Sequence, residues 1–304
     1  MYEALHRTND ILEYMILIDG KKEAALLREQ LKKEVSDLKI KYNKVPGLTV
    51  ILIGDLTPSQ IYVRNKEKSA TEVGLKSDVI KYPDSVEEKV ILEKINELNK
   101  DNSVSGILVQ LPLPKHIDKQ KIIEAIDPSK DVDGFHPTNL GRLVMGQVDG
   151  MLPCTPAGVM ELIKDADIDL TGKKAVVIGR SRIVGMPLAL LLAQKGIDAT
   201  VTIAHSRTQD IADICRTADL VVAAIGRAET IQADWIKPGA TVIDVGINRV
   251  ADDSRESGSR LTGDVEPEAV NKAGYITPVP GGVGPMTISM LMSNTVKAAE
   301  LRLN

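Results

Sequence analysis

The sequence predicts an α/β protein with two α/β domains, the second of them a Rossmann-like nucleotide-binding domain. Three observations predict this. Short apolar runs rich in β-branched residues alternate with segments of helical periodicity, which is typical of a mostly parallel sheet covered by helices. The alternation starts again near residue 154. There an apolar run leads directly into a glycine-containing loop and a compact helix, the arrangement of a dinucleotide-binding fold.

In the first half of the chain, helical periodicity without Gly or Pro predicts a helix over residues 20–42. The runs GLTVILIG and VSGILVQLPLP predict buried strands, and SVEEKVILEKINELNKD predicts a helix between them. The stretch DPSKDVDGFHPTNLGRL is dense in Asp, Pro and Gly and predicts a loop.

In the second half, Thr155 and Pro156 are typical of a helix N-cap followed by proline at the first helical position. Strands are predicted at KAVVIG, ATVTIA, ADLVVAAIG and ATVIDVG, with a helix at MPLALLLAQKG. After the loop YITPVPGGVGP, residues 286–304 predict an amphipathic helix that we expect to pack on the first domain. The first domain therefore comprises residues 1–153 and 286–304, and the second comprises residues 154–285.

Composition limits the classes of partner. The net charge is −4 and 3% of the residues are aromatic. A nucleic-acid-binding protein usually offers a basic surface and aromatic rings for base stacking, so the composition disfavours nucleic acid. No apolar run reaches the length of a membrane span, which disfavours a membrane partner.

The N-terminus and the cysteines predict a cytoplasmic protein. The first twenty residues include Glu3, Asp10 and Glu13 and lack the apolar block of a signal peptide. Cys154 and Cys215 are far apart and neither belongs to a CxxC motif, so we expect two reduced thiols in or near the core. The four histidines are scattered without ligand spacing, and the sequence predicts no metal site.

The loop in KAVVIGRSRIVGMP predicts a dinucleotide site. Gly179 ends the strand and Gly185 lies near the start of the helix, where glycines let backbone N–H groups approach a pyrophosphate. The match to GxGxxG is imperfect, because Ser181 takes the place of the second glycine and Gly185 comes one residue late. An ordinary strand–loop–helix turn remains the alternative.

The end of the next strand favours NADP over NAD. NAD-binding folds usually place an acid there, on the ribose 2′-hydroxyl, but IAHSRT offers Ser206 and Arg207. A 2′-phosphate binds hydroxyl and cationic groups, and Arg180 is a second cation nearby in the loop. Arg207 could equally be a solvated surface charge. Ile247, after the strand ATVIDVG, could pack against the nicotinamide.

The segment TPSQIYVRNKEKSA predicts a helix over about residues 58–72. Thr57 as N-cap, Pro58 in the first turn and Gln60 three residues after Thr57 fit a capping box.

On this helix Tyr62 and Lys66 are four residues apart, so they lie on one face about 6 Å from each other. Arg64 and Lys68 point elsewhere. An exposed lysine beside a half-buried tyrosine is the alternative to a functional pair.

Two more polar residues follow the predicted strands. Gln110 ends the strand GILVQ, and Asp133 lies in the loop KDVDGFH. Polar groups at strand ends are typical of α/β active sites. A lysine, a glutamine, a tyrosine and an aspartate around one cleft could transfer protons on a small polar substrate.

These segments together resemble one family, the bifunctional 5,10-methylenetetrahydrofolate dehydrogenase/5,10-methenyltetrahydrofolate cyclohydrolases of one-carbon metabolism. The resemblance covers roughly residues 18–304 in family order. The matching segments are YVRNKEK, GILVQLPLP, KDVDGFHPTNLGRL, PCTPAGVMELI, VVIGRSRIVGMP, VIDVGINR, GDV and YITPVPGGVGPMT.

The resemblance implies two α/β domains with the active-site cleft between them, and usually a homodimer. It implies oxidation of 5,10-methylenetetrahydrofolate with NADP, followed by hydrolysis of the methenyl product to 10-formyltetrahydrofolate. Three departures lie outside the proposed site residues. They are an N-terminal extension of about 16 residues, GDLTPS before the helix, and the long polar segment VADDSRESGSRLTGDV.

The resemblance also implies roles for residues. Lys66 is the key cyclohydrolase residue, and Gln110 tunes it. Tyr62 stacks on the aminobenzoyl ring of the folate, and Asp133 holds the pterin. The loop over residues 280–287 lines the cleft near folate and nicotinamide, with Pro280, Gly281 and Gly282 as its substrate-binding residues.

Three alternatives remain at this point. One is a dehydrogenase with a weak or absent cyclohydrolase step. Another is a nucleotide-binding regulatory protein without turnover. The third is another NADP enzyme with the same two-domain plan, such as one that acts on shikimate. The presence of Lys66, Gln110 and Asp133 favours the bifunctional enzyme.

Overall fold

The computed structural model describes residues 5–8, 11–147, 149–255 and 258–303. The strands in chain order are β1 (Leu5–Thr8), β2 (Ile11–Tyr14), β3 (Ile16–Leu17), β4 (Gly47–Ile53), β5 (Lys76–Tyr82), β6 (Gly106–Val109), β7 (Lys174–Ile178), β8 (Thr200–Ala204), β9 (Leu220–Ala223), β10 (Thr241–Asp244), β11 (Asn248–Ala251), β12 (Ser259–Thr262) and β13 (Tyr275–Ile276). The helices are α1 (Gly20–Tyr42), α2 (Thr57–Val73), α3 (Glu88–Lys100), α4 (Lys119–Ala125), α5 (Pro137–Val144), α6 (Cys154–Asp165), α7 (Gly185–Leu192), α8 (Ile211–Arg216) and α9 (Val283–Glu300). Two 3₁₀ turns lie at Ala233–Trp235 and Pro267–Asn271.

The chain divides into two units, which we name by their sheets. The three-stranded unit comprises Ala24–Cys154 and Ile288–Asn304, and the six-stranded unit comprises Met1–Glu23 and Thr155–Thr287. The sequence had assigned residues 1–153 to the first domain, whereas the structure groups the described residues up to Glu23 with the six-stranded unit. The physical reason is that β3 pairs in parallel with β13, next to β10 in the six-stranded sheet.

The three-stranded unit is built around β4. Its sheet has the order β5-β4-β6 with all strands parallel, and every residue of β4 is buried. Because side chains alternate along a strand, Val50 and its alternate neighbours join a core with α1, α2 and α9, while Ile51 and Ile53 join a second core with α3 and α4. The predicted buried strand is confirmed, and its uninterrupted apolar run follows from having two covered faces.

The six-stranded unit has the strand order β3-β13-β10-β9-β7-β8, with parallel pairing throughout. The four strands predicted in this half are confirmed as β7, β8, β9 and β10. The chain runs from β7 outward to β8 and then returns to the other side of β7 at β9. The carboxyl ends of β7 and β9 therefore flank a switch point, where doubly wound sheets bind their ligands.

Two antiparallel hairpins accompany this sheet: β1 pairs with β2, and β11 pairs with β12. The described backbone of the N-terminal extension forms β1 and β2.

The predicted helix over residues 20–42 is confirmed as α1, and α2 extends one residue beyond its predicted range at each end. The capping box is wrong. Leu56 occupies the N-cap without a side-chain bond, and Gln60 Nε2 donates to the carbonyl of Asp55 at 3.1 Å. The helix then ends at Gly74 in the left-handed conformation, with φ +85°.

Three other helix predictions need correction. The predicted loop over DPSKDVDGFHPTNLGRL contains α5, which begins because His136 Nδ1 accepts the amide of Thr138 and Pro137 occupies the first turn. Thr155 lies inside the first turn of α6 rather than at its N-cap. Helix α9 begins at Val283, three residues before the prediction, since a proline is tolerated in a first turn.

Helix α9 packs on the three-stranded unit, as predicted. Leu291, Met292 and Val296 are buried in the core that contains Leu31 of α1 and Val50 of β4. Both cysteines are buried and unpaired, which confirms the prediction of free thiols in the core. Among the described residues, no helix is long and apolar enough to cross a membrane.

Replacement by alanine at two glycines should change the free energy of unfolding in opposite directions. Gly74→Ala keeps an ordinary 3.5 Å contact with Val35 but imposes φ +85° on a residue with a Cβ, so we expect a loss of about 1 kcal/mol in the free energy of unfolding. Gly141→Ala lies inside α5 with open space around the added Cβ, so we expect a gain of up to about 1 kcal/mol. Urea unfolding followed by circular dichroism measures both. A shift of the same sign in the two variants would contradict these cap and helix assignments.

Candidate active site

A lysine–glutamine pair lies at the carboxyl end of the three-stranded sheet. Lys66 Nζ, on α2, donates a 3.0 Å hydrogen bond to Gln110 Oε1. The backbone of Gln110 continues β6, since its amide donates to the carbonyl of Ile51 at 2.9 Å. Gln110 Nε2 donates to the carbonyl of Leu111 at 2.7 Å, which leaves Oε1 as the atom that faces the lysine. The structure therefore brings together two residues that are 44 positions apart.

Tyr62 lies one helical turn before Lys66, and its side chain is 39% exposed. Val63, Ala70 and Val73 are buried on the core side of α2. The tyrosine ring is thus held on a packed helix while one side remains accessible, as stacking on an aromatic substrate requires.

Asp133 lies in a loop that hydrogen bonds of three side chains, called anchors below, hold in place. The neighbouring Asp131 is buried, and its Oδ2 accepts the amide of His136 at 2.7 Å and Asn139 Nδ2 at 2.9 Å. On the other side, buried Lys130 donates from Nζ to two carbonyls at the end of α3, at 2.7 Å each. The third anchor is Asn294 of α9, whose Nδ2 donates to the carbonyl of Val132 at 2.8 Å. The loop backbone is therefore fixed without any bond from the Asp133 carboxyl group.

The pKa of Asp133 is raised to about 6, mainly because burial disfavours the charged carboxylate. The positive charge of Lys66 opposes this shift and the negative charge of Asp131 adds to it. Lys66 is therefore close enough to Asp133 to affect its ionisation. Together with Gln110, the structure brings together the three predicted catalytic residues in one unit.

Sequence reasoning missed two residues beside this group. Cys154 Sγ donates to the carbonyl of Val132 at 3.2 Å, and burial raises the pKa of the thiol well above its ordinary value. Asn294 bonds the same carbonyl and also that of Leu152, at 2.9 Å. The only signal for Asn294 was a polar residue on the apolar face of an amphipathic helix, which could not be distinguished from a tolerated core polar residue.

A second group of predicted residues lies at the carboxyl end of β7. Gly179 has φ +132°, and a Cβ there would come within 2.2 Å of the carbonyl oxygen of Ala224. A Cβ on Gly185 would come within 2.1 Å of the carbonyl oxygen of Gly179. Ser181, which replaces a glycine of the motif, caps α7 instead: its Oγ accepts the amides of Val184 and Gly185 at 3.1 and 3.3 Å. Both glycines are therefore required by the close approach of backbone to backbone.

This loop fits the diphosphate of a dinucleotide. The backbone amides of residues 180–183 have no hydrogen-bond partner within the part of the chain that the structure describes. They lie beside the positive N-terminus of α7, which favours a bound anion.

The predicted 2′-phosphate residues lie beyond this loop. Ser206 and Arg207 are exposed after β8, and Arg180 is exposed after β7. Their turn is held by the amide of His205, which donates to Thr208 Oγ1 at 2.8 Å, and by the amide of Arg207, which donates to His205 Nδ1 at 3.2 Å. None of the three side chains has a hydrogen bond or ion pair among the described residues.

Family models match both parts of the chain. The model of the tetrahydrofolate dehydrogenase/cyclohydrolase NAD(P)-binding domain matches residues 153–303, and the model of the catalytic domain of the same family matches residues 18–133. The chain belongs to the tetrahydrofolate dehydrogenase/cyclohydrolase family.

Individual relatives agree with this family assignment. A protein of Pelagibacter ubique named bifunctional protein FolD is 61% identical over 284 residues, which cover 93% of this chain and 98% of that protein. The crystal structure of bifunctional FolD from Campylobacter jejuni superposes with a TM-score of 0.90 at 50% identity and covers 95% of this chain and 99% of that one. A FolD structure from Trypanosoma brucei, complexed with NADP cofactor and inhibitor, has a TM-score of 0.90 at 42% identity, with 95% and 99% covered.

As a tetrahydrofolate dehydrogenase/cyclohydrolase, the chain is an enzyme with two activities in folate one-carbon metabolism. It is a methylenetetrahydrofolate dehydrogenase and a methenyltetrahydrofolate cyclohydrolase. Bifunctional relatives at 50–61% identity favour this assignment over a regulatory protein or a shikimate enzyme.

In this tetrahydrofolate dehydrogenase/cyclohydrolase, the remaining predicted residues lie together in the six-stranded unit. Ile247 is 42% exposed, and a Cβ on Gly284 would lie 3.3 Å from its Cδ1. The loop over residues 280–282 precedes α9 directly, with Gly281 at φ +117° and the amide of Gly282 bonded to the carbonyl of Pro278 at 2.8 Å. Residues 283–287, which the sequence placed in this loop, belong to the helix.

Among the residues that the structure describes, His, Cys, Asp and Glu form no group of three or more suited to a metal ion.

Proposed function

We propose that Lys66, Gln110 and Asp133 form the cyclohydrolase centre of this chain, and that the six-stranded unit binds NADP. The observation that carries the proposal is the 3.0 Å bond between Lys66 Nζ and Gln110 Oε1, next to a carboxyl group whose pKa is raised to about 6. An amine, an amide and a carboxyl group in one partly buried place can position a substrate and transfer its protons.

In the hydrolytic step, one water adds to the methenyl carbon, and the carbon–nitrogen bond to N5 breaks to leave a 10-formyl group and one released proton. Lys66 assists the removal of a proton from the attacking water. Gln110 Oε1 accepts one N–H of the lysine and so fixes the position of Nζ, which keeps the amine within reach of the reacting carbon. A misplaced amine would lose most of this advantage.

Substrate binding is assigned to Tyr62, to Asp133 and to the loop over residues 280–282. Tyr62 stacks on the aminobenzoyl ring, since its exposed ring is held on a packed helix. Asp133 accepts hydrogen bonds from the pterin when it is ionised. Pro280, Gly281 and Gly282 contribute to substrate binding, as the resemblance to the family implies.

The dehydrogenase step needs little chemistry from side chains. A bound nicotinamide supplies the hydride acceptor, and the cation left on the folate is stabilised by its two flanking nitrogens. The role of the chain is to align the two reactants. Ile247 packs against the nicotinamide, and the amides of residues 180–183 hold the diphosphate.

NADP is proposed over NAD because Ser206, Arg207 and Arg180 are exposed and have no partner among the described residues. A hydroxyl and two guanidinium groups match the charge and the acceptors of a 2′-phosphate, whereas an NAD site usually presents a carboxylate to the free hydroxyl.

A cytoplasmic homodimer completes the proposal. Two buried thiols without a disulfide fit a reducing compartment. The homodimer follows from the resemblance to the family. The strand β5 lies at an edge of its sheet, where a second chain could add.

Removal of the lysine amine should abolish hydrolysis selectively. For Lys66→Met we expect the cyclohydrolase rate with methenyltetrahydrofolate to fall at least about 100-fold, because general acid–base groups contribute about 10²–10⁴. NADP affinity should stay unchanged. Lys68→Met is the matched control, since it lies on the same helix with an exposed side chain, and its rate should stay within twofold. Unchanged hydrolysis in Lys66→Met would refute the assignment and leave a dehydrogenase whose hydrolytic step has another origin.

The raised pKa of Asp133 predicts a pH dependence with a defined sign. The carboxylate form dominates above about pH 6 and the neutral form below it, so folate binding by the carboxylate is present above that pH and lost below it. We expect kcat/KM of the cyclohydrolase to fall as the pH drops from about 7 to 5, with an inflection near 6. Asp133→Asn should show a low value without that inflection. If the wild type and this variant have parallel profiles, another group is responsible.

Cofactor selectivity tests the phosphate site. For Arg207→Ala we expect KM for NADP to rise about 10- to 100-fold, since a hydrogen bond to a charged group contributes about 1.5–3 kcal/mol. KM for NAD should change little, because NAD lacks the 2′-phosphate and is therefore the control in the same protein. A wild type that prefers NAD, or equal losses with both cofactors, would contradict the assignment of Ser206 and Arg207.

A further inference from the structure

A carboxylate that the sequence did not single out holds the segment after β9. Asp264 is fully buried, and its Oδ2 accepts the amides of Ile225 and Gly226 at 2.7 and 2.9 Å. Its Oδ1 accepts the amide of Arg227 and Asn248 Nδ2, both at 2.9 Å. One side chain thus binds three consecutive backbone amides and a residue that follows β10.

These bonds lie where the sheet binds ligands. Residues 225–227 follow β9, and β9 is the neighbour of β7 at the switch point of the strand order. The close approach of Gly179 to the carbonyl of Ala224 brings the loop after β7 against the same segment. Asp264 therefore ties together the ends of β9 and β10 beside the proposed diphosphate loop.

The segment is bound on one side and open on the other. Gly226 has φ +67°, and a Cβ built on it would have no heavy atom within 4 Å. Arg227 is exposed, and its guanidinium has no hydrogen bond or ion pair among the described residues. A ligand can closely approach a backbone segment that is hydrogen-bonded on its inner side and unobstructed on its outer side.

Asp264 is itself held by a second buried carboxylate. Asp244 Oδ1 accepts the amide of Asp264 and Asp244 Oδ2 accepts that of Val265, at 2.9 Å each. The amide of Asp244 donates to Thr277 Oγ1 at 2.8 Å. The position of the Asp264 carboxylate is thus set by the sheet rather than by the segment that it binds.

We propose that Asp264 is a positioning residue for the nicotinamide dinucleotide: it fixes residues 225–227 so that their open face and Arg227 meet the cofactor. A buried polar side chain is costly unless donors compensate it, and a turn does not need a carboxyl group to form. Here three backbone amides after β9 and the amide side chain of Asn248 bond one carboxyl group, which sets the shape of the site at the ligand edge. This inference rests on the proposed binding of NADP by the six-stranded unit.

The test is Asp264→Asn, which keeps the volume but replaces one oxygen by an NH₂ group that faces two donors. We expect KM and Kd for NADP to rise at least about tenfold. The dehydrogenase kcat at saturating NADP should stay within about threefold, and hydrolysis of methenyltetrahydrofolate, assayed without cofactor, within twofold. The cyclohydrolase activity of the same molecule thus reports whether the variant is folded.

The matched control is Asp219→Asn. Asp219 also accepts a backbone amide, that of Lys174 at 2.9 Å, but it precedes β9 at the amino end of the same sheet. We expect its KM for NADP to match that of the wild type. An equal increase in both variants would overturn the inference, since it would indicate a general loss of stability in the sheet.

Other outcomes are equally decisive. An unchanged Kd for NADP in Asp264→Asn, or a parallel fall of both activities with a lower unfolding temperature, overturns the inference. If Asp264→Asn does not fold, the Kd of Asn248→Ala decides: a rise of several-fold supports the role of Asp264 and no change refutes it. A wild type that oxidises methylenetetrahydrofolate with neither NADP nor NAD would refute the proposed function itself.

Discussion

The burial of β4 on both faces is the constraint on which the catalytic residues depend. Side chains that alternate along this strand face two cores, and each buried Val, Leu or Ile contributes about 1.5–3 kcal/mol. Helix α2 can cover one face only with Val63, Ala70 and Val73 inward. That orientation directs Lys66 toward the carboxyl end of the sheet. Gln110 lies there because it follows β6, which pairs with β4. The hydrogen bond between the two side chains is a consequence of this packing.

Both units use a buried aspartate to shape the backbone after a sheet. Asp131 accepts the amide of His136 and Nδ2 of Asn139, and Asp264 accepts three consecutive amides. Backbone amides are strong donors at fixed positions, so a carboxyl group that accepts several hydrogen bonds from them holds their segment in one conformation. Among the described residues, the Asp133 carboxyl group and the Arg227 guanidinium group form no hydrogen bond or ion pair.

The two aspartates of the KDVDG segment, Asp131 and Asp133, have different environments. Asp131 bonds the backbone and an amide side chain, whereas Asp133 has a raised pKa and lies within the field of Lys66. Both have the same residue type and lie in the same loop. Burial among apolar atoms raises the pKa of Asp133, and the nearby positive charge of the lysine limits that rise.

Much of this could be predicted from the pattern of residues. The buried strands, the limits of α1 and the pairing of Tyr62 with Lys66 on one helix depend on periodicity, which is a local property. Gly179 and Gly185 at the switch point were also recognisable as part of a dinucleotide-binding motif. The capping box at Thr57 was wrong, because the side chain of Gln60 bonds the carbonyl of Asp55 instead of an N-cap amide. The loop predicted over residues 127–143 contains a helix, because His136 can cap it.

The sequence by itself determined the alternation of strands and helices, the family, and the residue types available for catalysis. Only the tertiary structure decided that residues 16–17 join the six-stranded sheet, that Asn294 of the last helix holds the Asp133 loop, and that Asp264 binds the segment after β9. Each of these contacts joins residues at least 37 positions apart. Their formation depends on which surfaces the cores bring together, and no local pattern of residue types encodes that.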